Sequence, residues 1–106
     1  MILDKIRKSI QNGSIFWQKH ALQRMLERGI ARAEVKQAIL SGDIIKDYSD
    51  DYPFPSVLIA NIERTKPLHI VVAFDESEYI SYIITAYIPD DKHFEKDLLA
   101  RRDNGK

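Results

Sequence analysis

The chain has 106 residues, of which 44% are hydrophobic, and its 16 basic residues balance its 16 acidic ones. This length suits one domain that buries its own core, and the hydrophobic content argues against a disordered chain. The absence of cysteine excludes a disulfide framework, a thiolate zinc site and a cysteine nucleophile, and it suits a reducing compartment.

Helical spacing of apolar residues predicts three helices in the first part of the chain, over residues 3–11, 19–28 and 33–40. In the second helix Leu22, Met25 and Leu26 form the expected apolar stripe, and Gly29 follows where a C-cap glycine belongs. Residues 14–18 are predicted as a short connection between the first two helices.

Strand patterns predominate from residue 43 onwards and predict four strands, over residues 43–48, 57–63, 68–74 and 79–88. The last three are joined by connections too short for a parallel crossover, so we expect them to pair antiparallel. Residues 90–102 are predicted as a short C-terminal helix or tail. The expected fold is therefore α+β, with N-terminal helices packed on a four-stranded antiparallel sheet in a single domain over residues 1–106.

No segment suits a membrane span or a signal peptide. Residues 1–11 alternate charged and apolar side chains, and the longest apolar run, residues 70–74, is far shorter than the roughly 18 residues of a membrane helix. We therefore expect a cytoplasmic protein with no membrane partner.

Charge is unevenly distributed along the chain. Residues 1–40 contain eight basic and three acidic side chains, whereas acidic residues outnumber basic ones in the next segment, residues 41–63. A basic helical half can attract a polyanion such as RNA. The alternative is an ordinary solvated helix surface.

The second helix brings His20 and Arg24 together with Glu27 or Arg28, because residues three and four apart are neighbours on a helix surface. Arginine binds phosphate through paired hydrogen bonds, and histidine transfers protons near neutral pH. This pattern suits phosphate chemistry, but it is equally that of an amphipathic helix with a wet polar face.

His69 lies inside the third predicted strand, on the opposite side from Leu68, Ile70, Val72 and Phe74. In the last strand the odd positions are expected on a hydroxyl-bearing face: Tyr79, Ser81, Ile83, Thr85 and Tyr87. Its even positions are expected in the core: Ile80, Tyr82, Ile84, Ala86 and Ile88. If the side of the third strand that carries His69 and the hydroxyl-bearing side of the last strand lie on the same face of the sheet, His69, Thr85 and Tyr87 form a polar site beside the helix that carries His20. The alternative is a hydrogen-bonded structural histidine.

Other patterns are weaker. His20, His69 and His93 lack the spacing of metal ligands, and the glycines are scattered, so we expect no metal site, no phosphate loop and no cofactor. The loop that contains Tyr52 and Phe54 either contacts a partner or folds over the sheet edge.

Five short blocks resemble an uncharacterised bacterial domain family that is often encoded beside a YgiT-type zinc-finger antitoxin. They are HALQRMLERGI at 20–30, GDIIKDY at 42–48, DYPFPS at 51–56, PLHIVV at 67–72 and ITAYIP at 84–89. The resemblance runs from about residue 19 to 102. That family is similar to RelE/BrnT-like ribonuclease toxins, which implies a RelE-like fold. The chain departs from the family at Phe94, where members often have tryptophan.

The resemblance implies the toxin of a type II toxin–antitoxin pair that cleaves RNA without metal. It implies His20 and His69 as base and acid, in either order, with Tyr87 as a supporting donor or alternative acid. The resemblance also implies that Arg24, Arg28 and Thr85 bind the substrate. RNA and the zinc-finger antitoxin are the expected partners. Two alternatives stay open: a non-catalytic protein-binding module and a small-ligand sensor.

Overall fold

The computed structural model describes residues 2–62 and 67–89. In chain order the elements are α1 (Ile2–Gln11), β1 (Ile15–Trp17), α2 (Lys19–Arg28), α3 (Arg32–Ser41), β2 (Asp43–Tyr48), β3 (Ser56–Asn61), β4 (Leu68–Asp75) and β5 (Ile80–Tyr87). The C-terminal helix or tail predicted over residues 90–102, with His93 and Phe94, lies outside the described residues.

The strands form one five-stranded sheet in the order β1-β5-β4-β3-β2. Strands β2 to β5 pair antiparallel with their neighbours, whereas β1 pairs parallel with β5. The prediction of a four-stranded, purely antiparallel sheet is therefore wrong: the sheet is mixed. The sequence predicts residues 15–17 as part of a connection, because three residues are too few to show a strand period. The residues that pair with them, 81–83, lie far along the chain.

All three helices pack on one face of the sheet. Their buried side chains meet the inward-facing residues of β3, β4 and β5 in one core. The helices contribute Ile6, Ile10, Ala21, Met25, Val35, Ala38 and Ile39, and the strands contribute Val57, Ile59, Leu68, Ile70, Val72, Phe74, Ile83 and Ala86. Among the described residues, no helix combines the length and the hydropathy that a bilayer crossing requires.

Helix α2 is rotated relative to the expected stripe. Ala21 and Met25, four residues apart, are its buried residues, while Leu26 is 83% exposed. The prediction that Leu26 faces the core is therefore wrong, because the helix packs closely through its alanine and leaves Leu22 at the margin of the interface. Gly29 has φ 68° and ends the helix, as the sequence predicted.

A β-bulge in β5 sets the two faces of the sheet. The β4–β5 register shifts by one between Val71 and Val72, so that Ile84 is the extra residue. Ile83 therefore faces the helices and is fully buried, whereas Thr85 has the opposite orientation. The prediction that the odd positions of β5 share one face is wrong for Ser81 and Ile83, because the bulge interrupts strict alternation.

We call the sheet face opposite the helices the distal face. It carries alternate residues of three strands, in rows set by the register: Ser56–Ala73–Tyr82, Leu58–Val71–Thr85 and Ala60–His69–Tyr87. None of the helices α1 to α3 covers this face, yet most of its residues are buried: Ser56, Leu58, Val71, His69 and Tyr87 are each less than 5% exposed.

Candidate functional site

His69 and Tyr87 are direct cross-strand neighbours on the distal face. The Nδ1 atom of His69 and the hydroxyl of Tyr87 are hydrogen-bonded at 3.3 Å, and the two rings meet edge to face with centroids 5.3 Å apart. The two residues are 4% and 2% exposed, respectively. An imidazole and a phenol that share a hydrogen bond can pass a proton between them, because each group can either donate or accept. Burial lowers the local dielectric constant, which strengthens this hydrogen bond.

Thr85 lies in the neighbouring row of the distal face, opposite Val71, and is half-buried. The structure thus brings His69, Thr85 and Tyr87 onto one face. Their alternation from residue 85 onwards is regular, which is why the sequence pattern grouped them.

The polar residues of α2 have different surroundings. His20 is exposed and makes no hydrogen bond, ion pair or ring contact with any described residue. Arg24 pairs with Glu27 at 3.2 Å, with both side chains more than half exposed. Because these residues lie on the side of α2 away from buried Ala21 and Met25, they do not join the His69–Tyr87 pair.

Arg28 reaches the sheet. Its Nη1 atom donates a hydrogen bond of 2.9 Å to the carbonyl oxygen of Ala86, and its side chain is half-buried. This contact is available because β1 pairs only with residues 81–83 of β5. Among the described strands, none pairs with that edge of β5 beyond residue 83. A guanidinium is therefore held beside the strand that carries Thr85 and Tyr87.

A pocket of about 450 Å³ opens on the distal face. Its described lining residues come from the loop between β2 and β3, from strands β3, β4 and β5, and from the residue before α2: Asp51, Tyr52, Pro53, Phe54, Ser56, Val71, Ala73, Tyr82, Ile84 and Gln18. The predictions from sequence did not include this pocket. The one available signal was the aromatic, proline-containing loop, for which folding over the sheet edge was one of two alternatives.

Aromatic rings hold the loop on the sheet. Phe54 stacks on Tyr82 with centroids 5.4 Å apart and ring planes 8° from parallel, and Phe16 of β1 contacts the same tyrosine at 5.5 Å. The hydroxyl of Ser56 donates a hydrogen bond to the carboxylate of Asp51. These contacts give the pocket a wall of rings with a carboxylate on the loop.

The pocket adjoins the His69–Tyr87 pair. Val71 lines the pocket and lies two residues from His69 on the same face of β4, which is a separation of about 7 Å along a strand. No described residue that lines the pocket is lysine or arginine. Within the described ranges, no three His, Asp or Glu side chains are grouped closely enough to hold a metal ion.

Comparison with known proteins places the chain in a family. The family described as Domain of unknown function (DUF4258) matches residues 17–88. No curated protein and no solved structure matches the chain. The matched segment contains α2, α3, the four antiparallel strands and every candidate residue from His20 to Tyr87. The chain therefore belongs to the DUF4258 family.

Proposed function

We propose that this chain is a ribonuclease toxin of a type II toxin–antitoxin pair, and that His69 and Tyr87 transfer the protons during metal-independent RNA cleavage. The observation that carries the proposal is the hydrogen-bonded His69–Tyr87 pair beside Thr85, on a face that continues into a pocket with aromatic walls. The resemblance to RelE/BrnT-like toxins supplies the reaction class and the expected antitoxin partner, a YgiT-type zinc-finger protein in the cytoplasm.

The reaction needs a base, an acid and a cation. The neutral imidazole of His69 accepts the proton of the RNA 2′-hydroxyl, whose oxygen then attacks the adjacent phosphorus. The bond from phosphorus to the 5′ oxygen breaks, and that oxygen takes a proton from the Tyr87 hydroxyl. The products are a 2′,3′-cyclic phosphate and a 5′-hydroxyl.

Arg28 and Thr85 are the groups best placed to bind the phosphate. Arg28 uses one of its five N–H donors on Ala86, which leaves others for phosphate oxygens. His20 and Arg24, on the outer surface of α2, are assigned only to contacts with flanking RNA backbone. Because His69 is almost buried, cleavage requires a local movement on RNA binding that gives the ribose access to the imidazole.

The test is an RNA-cleavage assay on the purified chain in the presence of a chelator. We expect wild-type protein to produce cyclic phosphate ends, and His69→Gln to lower the rate by about 100-fold or more. Tyr87→Phe, which removes only the hydroxyl, should lower the rate as well, whereas exposed His20→Gln should retain it. Circular dichroism must show that the His69 and Tyr87 variants are folded. Equal rates for folded wild-type, His69→Gln and Tyr87→Phe proteins would falsify the assignment.

A second candidate is a non-catalytic protein-binding module of the same fold. The observation that favours it is the burial of His69 and Tyr87, which is typical of a structural hydrogen bond. A folded wild-type chain that cleaves no RNA, and whose expression does not arrest bacterial growth, would support this candidate over the ribonuclease.

A further inference from the structure

We propose that the pocket between the β2–β3 loop and β5 binds a single unpaired nucleobase of the RNA, with a preference for guanine over uracil. That the ligand is part of an RNA chain rests on the proposed function. The base preference rests on the residues that line the pocket.

The size and walls of the pocket suit a flat ring. About 450 Å³ is within the range of small-ligand sites. Tyr52, Phe54 and Tyr82 all line it, and Tyr52 is 94% exposed although it is aromatic. Unpaired RNA bases are typically bound by stacking on aromatic side chains. An exposed tyrosine at the mouth of such a pocket is therefore well placed to cover a bound base.

The polar groups of the described lining disfavour a phosphate in this pocket. The described lining has no lysine or arginine, and its one charged side chain is the carboxylate of Asp51. A phosphate would be repelled by that carboxylate, whereas a neutral base would not. The phosphate is instead expected towards Thr85 and Arg28.

Asp51 is the residue that we expect to favour guanine over uracil. An ionised carboxylate only accepts hydrogen bonds, and its two oxygens offer about four acceptor positions, so it can bind a ligand in addition to its partners in the protein, of which the Ser56 hydroxyl is one. Guanine presents two adjacent donors, N1–H and the 2-amino group, to such an acceptor. Uracil presents one N–H between two carbonyl oxygens, which a carboxylate repels.

The position of the pocket fits one nucleotide beside the cleavage point. Val71 lies on the pocket wall, and His69 is about 7 Å further along the same face of β4. A base held in the pocket therefore places its own ribose, or the next one, near the His69–Tyr87 pair.

The test measures equilibrium binding of short 2′-O-methyl oligouridines, with and without one guanine, by fluorescence anisotropy. These RNAs cannot be cleaved, so binding is measured independently of catalysis. We expect the guanine-containing RNA to bind about 10-fold more tightly, as a charge-assisted hydrogen bond implies. Tyr52→Ala should weaken both RNAs by about 10-fold, because stacking does not distinguish bases. Asp51→Asn should reduce the guanine preference to less than about 3-fold.

Leu26→Ala is the matched control, because Leu26 is also a highly exposed apolar residue but does not line the pocket. It should bind both RNAs like wild type. Equal wild-type affinity for the two RNAs overturns the inference, as does an absence of RNA binding or unchanged binding by the Tyr52 and Asp51 variants. If the chain cleaves RNA but the pocket variants bind normally, this inference alone fails. If the guanine preference is present but nothing is cleaved, the proposed function alone fails.

Discussion

Arg24 and Arg28 lie about one turn apart on α2, but only Arg28 makes a contact that is shielded from water. Its hydrogen bond reaches a carbonyl of Ala86, which is fully buried. Arg24 instead pairs with Glu27 in solvent, where an ion pair contributes little.

We therefore predict that Arg28→Met lowers the free energy of unfolding by about 1 kcal/mol or more, because a buried acceptor loses its donor while the apolar stem is kept. Arg24→Met is the matched control and should change it by less than about 0.5 kcal/mol. Urea denaturation with an unchanged m-value measures both effects. Equal shifts in the two variants would show that the Arg28 contact contributes no more than an exposed pair.

At the scale of elements, a buried pair of hydroxyls joins α1 to β5. The side chains of Ser9 and Ser81 are hydrogen-bonded to each other, and the Ser9 hydroxyl also donates to the carbonyl of Ile6 at 2.9 Å. Since a hydroxyl has one proton, Ser81 is the donor within the pair. Removing Ser9 alone leaves the hydroxyl of Ser81 buried without this acceptor.

Ser9→Ala should therefore destabilise the protein by about 1–3 kcal/mol, whereas removing both hydroxyls should cost less than the sum of the single changes. A double-mutant cycle by urea denaturation measures this coupling, which we expect to be about 1 kcal/mol. Additive effects would mean that the two serines do not act as a pair.

The β5 bulge determines which of two neighbouring isoleucines lies in the core, and this assignment can be tested. Ile83 is fully buried against the helices, while its neighbour Ile84 lines the pocket on the other side and is half-buried. Ile83→Ala should cost about 2–5 kcal/mol, and Ile84→Ala clearly less, in the same urea measurement. The reverse order would support the uninterrupted alternation that the sequence suggests.

Local sequence patterns predicted most elements to within two residues, because helix spacing and strand composition are local properties. They missed β1, whose pairing with β5 is purely tertiary, and the bulge at Ile84, which no residue type marks. The grouping of His69, Thr85 and Tyr87 was predictable since it depends on alternation after the bulge. The pocket was not, because it forms only when the loop around Tyr52 folds back over the sheet.

At the scale of the whole molecule, four of the eight basic side chains in residues 1–40 already have partners within the protein. Within residues 1–40, Lys5 pairs with Glu76, Arg24 pairs with Glu27, and Arg7 and Arg28 donate to backbone carbonyls. The other basic side chains are exposed but spread over all three helices: Lys8, Lys19, Arg32 and Lys36. With no net charge overall, long-range attraction of RNA is weak.

This distribution predicts that RNA binding depends only weakly on salt. Each phosphate contact to single-stranded RNA contributes about −0.7 to the slope of log affinity against log salt concentration. If Arg28 and one or two flanking cations make the contacts, the slope should lie between about −1.4 and −2.1. Anisotropy titrations of uncleavable RNA over a range of salt concentrations measure it. The double variant Lys8→Gln/Lys36→Gln should leave the slope unchanged, since these exposed residues of α1 and α3 are not among the proposed phosphate contacts. A slope steeper than about −4, or one that this variant reduces, would place the RNA across the helices and away from the His69–Tyr87 pair.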